Sequence, residues 1–192
     1  MKSVLLLGSI LLLSACGSMQ SQVVKKNVAF DPDSQAQIRS YGSYGSDLIR
    51  IYPETDCAKW EGTKRNTVNR RFVNGLPRKV RNISIGIPPT ELSRKTEKDT
   101  GFVFRDSYRE MVVSANQPVV LDGAFSSQTR NQHYSCRVAA SFTPKAGEAY
   151  EVRYLSEEDG CEIEVYHIGH EEKDGVRPTK KLTAHYCAKP GT

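Results

Sequence analysis

Alternation of apolar and polar residues in the second half of the chain constrains the fold most strongly. One ten-residue run places its apolar side chains on a single face of an extended strand: Tyr134, Cys136, Val138, Ala140 and Phe142. Shorter runs of the same kind occur at residues 36–40, 47–52, 83–87, 150–155 and 161–167. No window shows a helical period of comparable quality. The sequence therefore predicts an all-β fold, a single antiparallel β-sandwich.

Several segments between these runs predict turns or loops. Asp122-Gly123 is a turn signal that we expect to close a strand over residues 118–121. Residues 90–100 are charged and have few apolar positions to bury, so they predict a loop or a single helical turn. A further short strand is predicted over 102–104 and a last strand over 181–188.

A second feature, near the start of the chain, concerns processing. About ten apolar residues end at Leu13-Ser14-Ala15-Cys16, and this run is shorter than the roughly twenty residues that a spanning helix needs. Small residues directly before a cysteine resemble the lipobox of bacterial lipoproteins. The resemblance implies that Cys16 is acylated after cleavage and holds the protein on a membrane. The alternative is an ordinary secretory signal with a cysteine near its cleavage site.

The resemblance also predicts where the protein lies and how the chain is divided. Gly17, rather than Asp, follows the cysteine, which in Gram-negative lipoproteins favours the outer membrane, here with the protein on its periplasmic face. Residues 1–15 are then the signal peptide, 16–27 the lipidated N-terminus and tether, and 28–189 the sandwich domain.

Parts of the predicted domain resemble uncharacterised envelope lipoproteins of proteobacteria. The resemblance rests on residues 142–152 and 161–165, together with 85–90 and 117–119. It implies a transthyretin-like or immunoglobulin-like sandwich. It implies no activity, because that family has no settled one.

Cysteine usage agrees with an exported protein. Apart from Cys16, the chain has four cysteines: Cys57, Cys136, Cys161 and Cys187. Their wide spacing is unlike zinc-binding or thioredoxin-like motifs, so we expect two disulfides, for which three pairings exist. Cys136 and Cys161 both project from the apolar faces of their strands, which favours the pairs Cys136–Cys161 and Cys57–Cys187.

Recognised catalytic motifs are missing from the sequence: it contains no nucleophile elbow, His-Glu-x-x-His, phosphate loop or dinucleotide fingerprint. His167 and His170 are the best candidates for a metal or catalytic site. Positions three apart on a strand face opposite sides, so these histidines meet only if Gly169 bends the chain. We therefore expect a solvated strand end, no metal site, no cofactor and no enzyme.

A strongly basic run over residues 59–81 is the remaining feature that suggests a partner. It contains eight Lys or Arg residues and one Glu. Its candidate anion-binding residues are Arg70, Arg71, Arg78 and Lys79, and anionic lipid or lipopolysaccharide phosphate would be the ligand. An exposed loop with ordinary solvated charge is the alternative. No nucleic-acid partner is expected, because the predicted compartment lacks nucleic acid and no binding fold is recognised.

These observations predict a non-catalytic, lipid-anchored envelope protein that acts as a binding or structural module, with an envelope protein as a further possible partner. Two other functions stay open. One is a periplasmic inhibitor or accessory subunit of a secretion or wall-processing complex, and the other is a hydrolase or metal enzyme that uses the histidines.

Overall fold

The structure, a computed structural model, describes residues 23–42, 48–67, 72–73, 76–77, 81–99, 106–128, 130–157 and 160–188. Within these ranges the chain forms fourteen strands and one helix. They are β1 Val23–Lys25, β2 Gln35–Gly42, β3 Leu48–Tyr52, β4 Asn66–Thr67, β5 Phe72–Val73, β6 Leu76–Pro77, β7 Asn82–Ser84, α1 Glu91–Lys98, β8 Ser107–Ser114, β9 Val119–Gln128, β10 His133–Phe142, β11 Ala149–Glu157, β12 Gly160–Ile168, β13 Thr179–Leu182 and β14 His185–Tyr186. The predicted all-β class is confirmed.

The strands form two main sheets. A seven-stranded sheet has the order β1-β7-β8-β2-β11-β12-β13, and a five-stranded sheet has the order β14-β10-β9-β3-β4. Strands β5 and β6 pair with each other in a separate small sheet. The longest pairing joins β9 to β10, where ten residues of each strand are in register.

The larger sheet is mixed, so the prediction of a purely antiparallel arrangement is wrong. Three of its pairings are parallel: β1 with β7, β7 with β8, and β2 with β11. Alternating side chains occur in strands of either direction. Direction depends on which distant strands become neighbours, and the alternation within one strand does not carry that information.

One hydrophobic core lies between the two sheets. The seven-stranded sheet contributes the buried side chains Ala36, Ile38, Val113, Tyr150, Val152, Tyr154, Ile163 and Val165, and the five-stranded sheet contributes Ile49, Ile51, Val119, Leu121, Ala140 and Phe142. These residues follow the predicted alternation, for example at positions 36 and 38 and at 163 and 165. Removing their apolar surface from water is the main force that holds the sheets together.

The predicted turn at Asp122-Gly123 is wrong, because β9 runs straight through both residues. Asp122 is fully buried and accepts hydrogen bonds from Arg50 on β3 and Arg137 on β10. Gly123 faces the ring of Tyr154 on the opposite sheet so closely that a Cβ atom would overlap it. Asp122 is therefore required for ion pairing and Gly123 for close packing, both within a strand. An Asp-Gly pair in a strand has the same sequence as an Asp-Gly turn, so the sequence pattern does not separate the two.

Three other predicted segments also differ from the structure. The last predicted strand, 181–188, is two strands in different sheets, β13 and β14. Residues 90–100 include the two-turn helix α1, which begins with a capping box between Thr90 and Ser93 and buries the polar residues Ser93 and Thr96. Part of the predicted tether, Val23–Lys25, is β1 at the edge of the larger sheet. The short strand predicted over 102–104 lies outside the described residues.

Two disulfides link distant parts of the fold, in the pairs that the sequence analysis favoured. Cys136 on β10 is bonded to Cys161 on β12, so this bridge joins the two sheets covalently. Cys57, after β3, is bonded to Cys187, after β14. Cys187 packs beside a small second cluster formed by Tyr52, Trp60, Val120 and Ala139.

Close packing at Gly123 predicts a large effect of one methyl group. Gly123→Ala should lower the free energy of unfolding by about 1–3 kcal/mol, because the buried Tyr154 ring must move to admit the new atom. Gly160→Ala is the matched control, since nothing lies within 4 Å of a Cβ there, and its effect should stay within about 0.5 kcal/mol. Urea unfolding with the disulfides intact measures both. Equal stability of the two variants would contradict the packing.

Candidate functional site

A row of three buried charged residues crosses the seven-stranded sheet. The strand register places Arg39 on β2 directly opposite Glu110 on β8 and opposite Glu151 on β11. All three side chains lie on the face turned away from the shared core, and each residue is at most 3 % exposed. The guanidinium is 2.7 Å from Oε1 of Glu110 and 3.1 Å from Oε1 of Glu151.

The second oxygen of Glu110 is held by the loop that precedes α1. Its Oε2 accepts hydrogen bonds from the backbone N–H groups of Ile85, Gly86 and Ile87, at 2.6, 3.1 and 3.2 Å, and from the hydroxyl of Ser84. Gly86 has a φ of 104°, a backbone conformation that glycine adopts most readily. This backbone conformation lets three successive N–H groups point at one carboxylate oxygen, as in an anion-binding nest.

Glu151 is held by two hydroxyl groups in addition to Arg39. Its Oε1 accepts hydrogen bonds from the phenol of Tyr41 and from the Thr90 side chain, both at 2.5 Å. Burial and the neighbouring charge of Glu151 raise the pKa of Tyr41, so the phenol stays protonated and donates. Thr90 is also the cap of α1. The carboxylate therefore ties the start of the helix to the sheet.

The arrangement around Arg39 is that of a structural ion cluster. Burial acts to lower the pKa of Arg39, but the neighbouring carboxylates of Glu110 and Glu151 outweigh it and the pKa is raised. The Nε, Nη1 and Nη2 atoms all donate to protein acceptors, including the carbonyl oxygens of Ile87 and Pro88. The cluster thus fastens residues 84–90 over the sheet. The charged row was not predicted, because its members are far apart in the sequence.

A second cluster is accessible to solvent and has a different chemistry. Glu148 lies just before β11, His167 lies near the end of β12, and His170 lies two residues beyond that strand. Oε2 of Glu148 is 2.5 Å from Nε2 of His167 and 3.1 Å from Nε2 of His170. The hydrogen bond with His167 contributes most to a lowered pKa of Glu148. The three residues offer two imidazoles and one carboxylate, all with ligand atoms within 4.8 Å of one another.

The two histidines meet, which the sequence analysis expected only if Gly169 bends the chain. Their ring centroids are 6.2 Å apart. The strand period ends at Ile168, because the chain leaves β12 at Gly169, whose N–H donates to the carbonyl of Pro178. A Cβ at Gly169 would lie 3.1 Å from the Pro178 ring, so the close approach favours glycine. Glu148 was not predicted to take part, since it is 19 residues from His167.

The other two histidines lie apart from each other. His185 on β14 is opposite Ser141 of β10, whereas His133 is at the other end of β10. Eight residues of extended strand separate these positions, roughly 26 Å. The two remaining histidines, each followed by a tyrosine in His133-Tyr134 and His185-Tyr186, are therefore too far apart to form one site.

Two groups of predicted site residues fall outside the described part of the chain: Cys16, and the anion-binding candidates Arg70, Arg71, Arg78 and Lys79. Four other cations of the basic run are described, and all are exposed: Lys59, Lys64, Arg65 and Arg81. Among the described residues, no helix has both the length and the apolar character that a membrane span requires.

Comparison with protein-family models, with curated proteins and with solved structures finds no match to this chain. No family assignment follows from these comparisons. The functional argument therefore depends on the residues themselves.

Removal of Arg39 should strongly destabilise the fold. Arg39→Ala leaves two buried carboxylates without their cation, and the expected loss in the free energy of unfolding is about 3–5 kcal/mol. Lys95→Ala on the exposed side of α1 is the control, with an expected change within about 0.5 kcal/mol. Denaturant unfolding of both variants checks this. A loss below about 1 kcal/mol for Arg39→Ala would show that the ion cluster is not needed for stability.

Proposed function

We propose that this protein is a non-catalytic, lipid-anchored module of a bacterial cell envelope, held on the periplasmic face of the outer membrane through Cys16. The observation that carries the proposal is the cysteine pairing. The four cysteines that the structure describes pair with one another, so none of them is left to pair with Cys16. This is the arrangement expected of an oxidising compartment in which the remaining cysteine carries lipid.

The fold supports a binding or structural role of this kind. Two sheets that share one core are consistent with a β-sandwich, and we extend the proposal to a sandwich of the transthyretin-like or immunoglobulin-like type. The parallel pairings in the larger sheet would make it a variant of those folds. The buried charged site around Arg39 is engaged by protein partners on Nε, Nη1 and Nη2, which suits a rigid scaffold better than a reactive centre.

Substitution of Cys16 tests the anchor. In the full chain, Cys16→Ser should remove the acylation site, so the protein should be released into the soluble periplasmic fraction or accumulate unprocessed. Ser18→Ala is the matched control, because it changes a neighbouring small residue outside the Leu-Ser-Ala-Cys motif, and it should leave the protein in the membrane fraction. Membrane fractionation and mass measurement of the mature N-terminus report the result. A Cys16→Ser protein that is still processed and acylated would refute the proposal.

A contact between the basic run and the membrane surface would complete this picture. Lys59, Lys64, Arg65 and Arg81 are all exposed, as a surface facing anionic headgroups requires. Each well-placed cation contributes about 1 kcal/mol near an anionic membrane. We therefore propose anionic lipid or lipopolysaccharide phosphate as the partner of this segment.

Residues 17–192, produced in the periplasm behind an unrelated cleavable signal, should bind vesicles containing phosphatidylglycerol at low salt. Reversal of Arg70, Arg71, Arg78 and Lys79 to Glu should abolish binding, and physiological salt should weaken it, because exposed charges are screened beyond about 8–10 Å. Neutral phosphatidylcholine vesicles are the control. Co-sedimentation measures binding. Failure of the wild-type protein to bind, or equal binding by the reversed variant, would mean that the basic run is only a solvated loop.

A further inference from the structure

We propose that Glu148, His167 and His170 form a binding site for a divalent transition-metal ion of the zinc class. The inference is independent of the lipid anchor. It rests on three side chains from two separate segments that converge at one end of the seven-stranded sheet, where their ligand atoms lie within 4.8 Å of one another.

The donor set suits such an ion. Imidazole nitrogen and carboxylate oxygen are common zinc ligands, and imidazole also binds copper and nickel, whereas calcium and magnesium prefer oxygen ligands alone. Two imidazoles and one carboxylate are also the protein ligands found in many three-ligand zinc sites. The chemistry of the cluster therefore favours a transition metal over a hard cation.

The spacing is close to what a metal ion needs. Donors bound to one tetrahedral zinc ion at about 2.1 Å lie roughly 3.4 Å from each other. Glu148 Oε2 is 2.5 Å from one imidazole Nε2 and 3.1 Å from the other, and Glu148 Oε1 is 3.3 Å from His170 Nε2. A shift of about 1 Å in these side chains would admit the ion. An ordinary ion pair needs only the contact between Glu148 and His167. The imidazole of His170 approaches the same carboxylate as well, and an ion pair does not require this second contact.

The backbone around the cluster is well supported, so the site has a fixed frame. The carbonyl of Glu148 accepts a hydrogen bond from the N–H of Gln37, and its N–H donates to Lys145. His167 is paired with Tyr150 on β11 and Lys180 on β13, and its ring lies against the buried Tyr150 ring, with centroids 5.7 Å apart. Glu148 and His170 lie just outside the strands, and His170 has the most exposed side chain of the three, so it can adjust to a bound ion.

The site is also open to solvent. The side chains of Glu148 and His167 are 25 % and 28 % exposed, and that of His170 is 69 % exposed. Metal ions can therefore reach it without unfolding of the protein. Three protein ligands leave a fourth position for water or for a ligand group from another molecule.

Zinc titration of the full chain in detergent, after treatment with a chelator, tests the site. Isothermal calorimetry at neutral pH should show one Zn²⁺ bound per chain. Loss of a residue that contacts a metal ligand, without itself binding the metal, typically weakens metal binding about 10–100-fold. Because His167 and His170 would bind the ion directly, His167→Ala and His170→Ala should each weaken binding by more than that. Glu148→Gln should also weaken binding, because it removes the anionic ligand. Saturating Zn²⁺ should raise the unfolding temperature of the wild-type protein and not that of the two histidine variants.

The chain provides matched controls in its two other histidines, which are exposed and lie away from the cluster. His133→Ala and His185→Ala should bind Zn²⁺ as the wild-type protein does. Imidazole resonances in NMR spectra of the unmodified protein give a second measurement that needs no variant. Signals of His167 and His170 should shift on addition of one equivalent of Zn²⁺, and those of His133 and His185 should not.

Three results would each overturn the proposal. The first is the absence of one-to-one Zn²⁺ binding by the wild-type protein. The second is wild-type affinity in His167→Ala and His170→Ala. The third is a loss of affinity in His133→Ala as large as the loss in those two variants. If a cluster variant fails to fold, the resonance shifts decide, and unchanged signals from His167 and His170 would refute the site.

Discussion

A single buried guanidinium organises the outer face of the larger sheet. Arg39 lies between Glu110 and Glu151, and this row holds one positive and two negative charges away from water. Such a row is unstable unless other dipoles offset the excess negative charge. They come from three backbone N–H groups, a phenol and two hydroxyls, which bring residues 84–90 and the start of α1 onto the sheet. These hydrogen bonds hold the loop and the start of the helix on the sheet, and the buried residues of α1, Ser93 and Thr96, are polar.

The smaller sheet follows the same plan on its own outer face. Asp122 is fully buried between Arg50 and Arg137, and Arg137 also lies over the Trp60 ring, 5.4 Å from its centroid. Each sheet therefore has an apolar face toward the shared core and, on the opposite face, an ion cluster. The cluster of the larger sheet is fully buried, whereas in the smaller sheet Asp122 is buried and its two arginines are partly exposed. Residues 38–42 of β2 and 119–123 of β9 are buried on both sides of their sheets.

The regular alternation on the inner faces of the strands could be predicted from the sequence, whereas the ion pairs on their outer faces could not. The strands β3, β10, β11 and β12 were predicted nearly to their ends, because their inner faces alternate regularly. The favoured cysteine pairing also followed from that alternation. Asp122-Gly123, in contrast, has the composition of a turn, and only the presence of Arg50, Arg137 and Tyr154 nearby makes it part of a strand. Strand direction and the meeting of Glu148 with His167 likewise depend on contacts between remote segments, and no local pattern specifies these.

The order of the strands has a consequence for how the protein acquires its structure. Strand β2 lies near the start of the domain, yet its parallel neighbour β11 begins at residue 149. The disulfide of Cys57 likewise needs Cys187, which comes 130 residues later. Such non-local pairing makes folding slow and leaves sheet edges open in the meantime. A chain that emerges gradually during its synthesis would thus stay incomplete, and in need of protection from aggregation, until Cys187 has appeared.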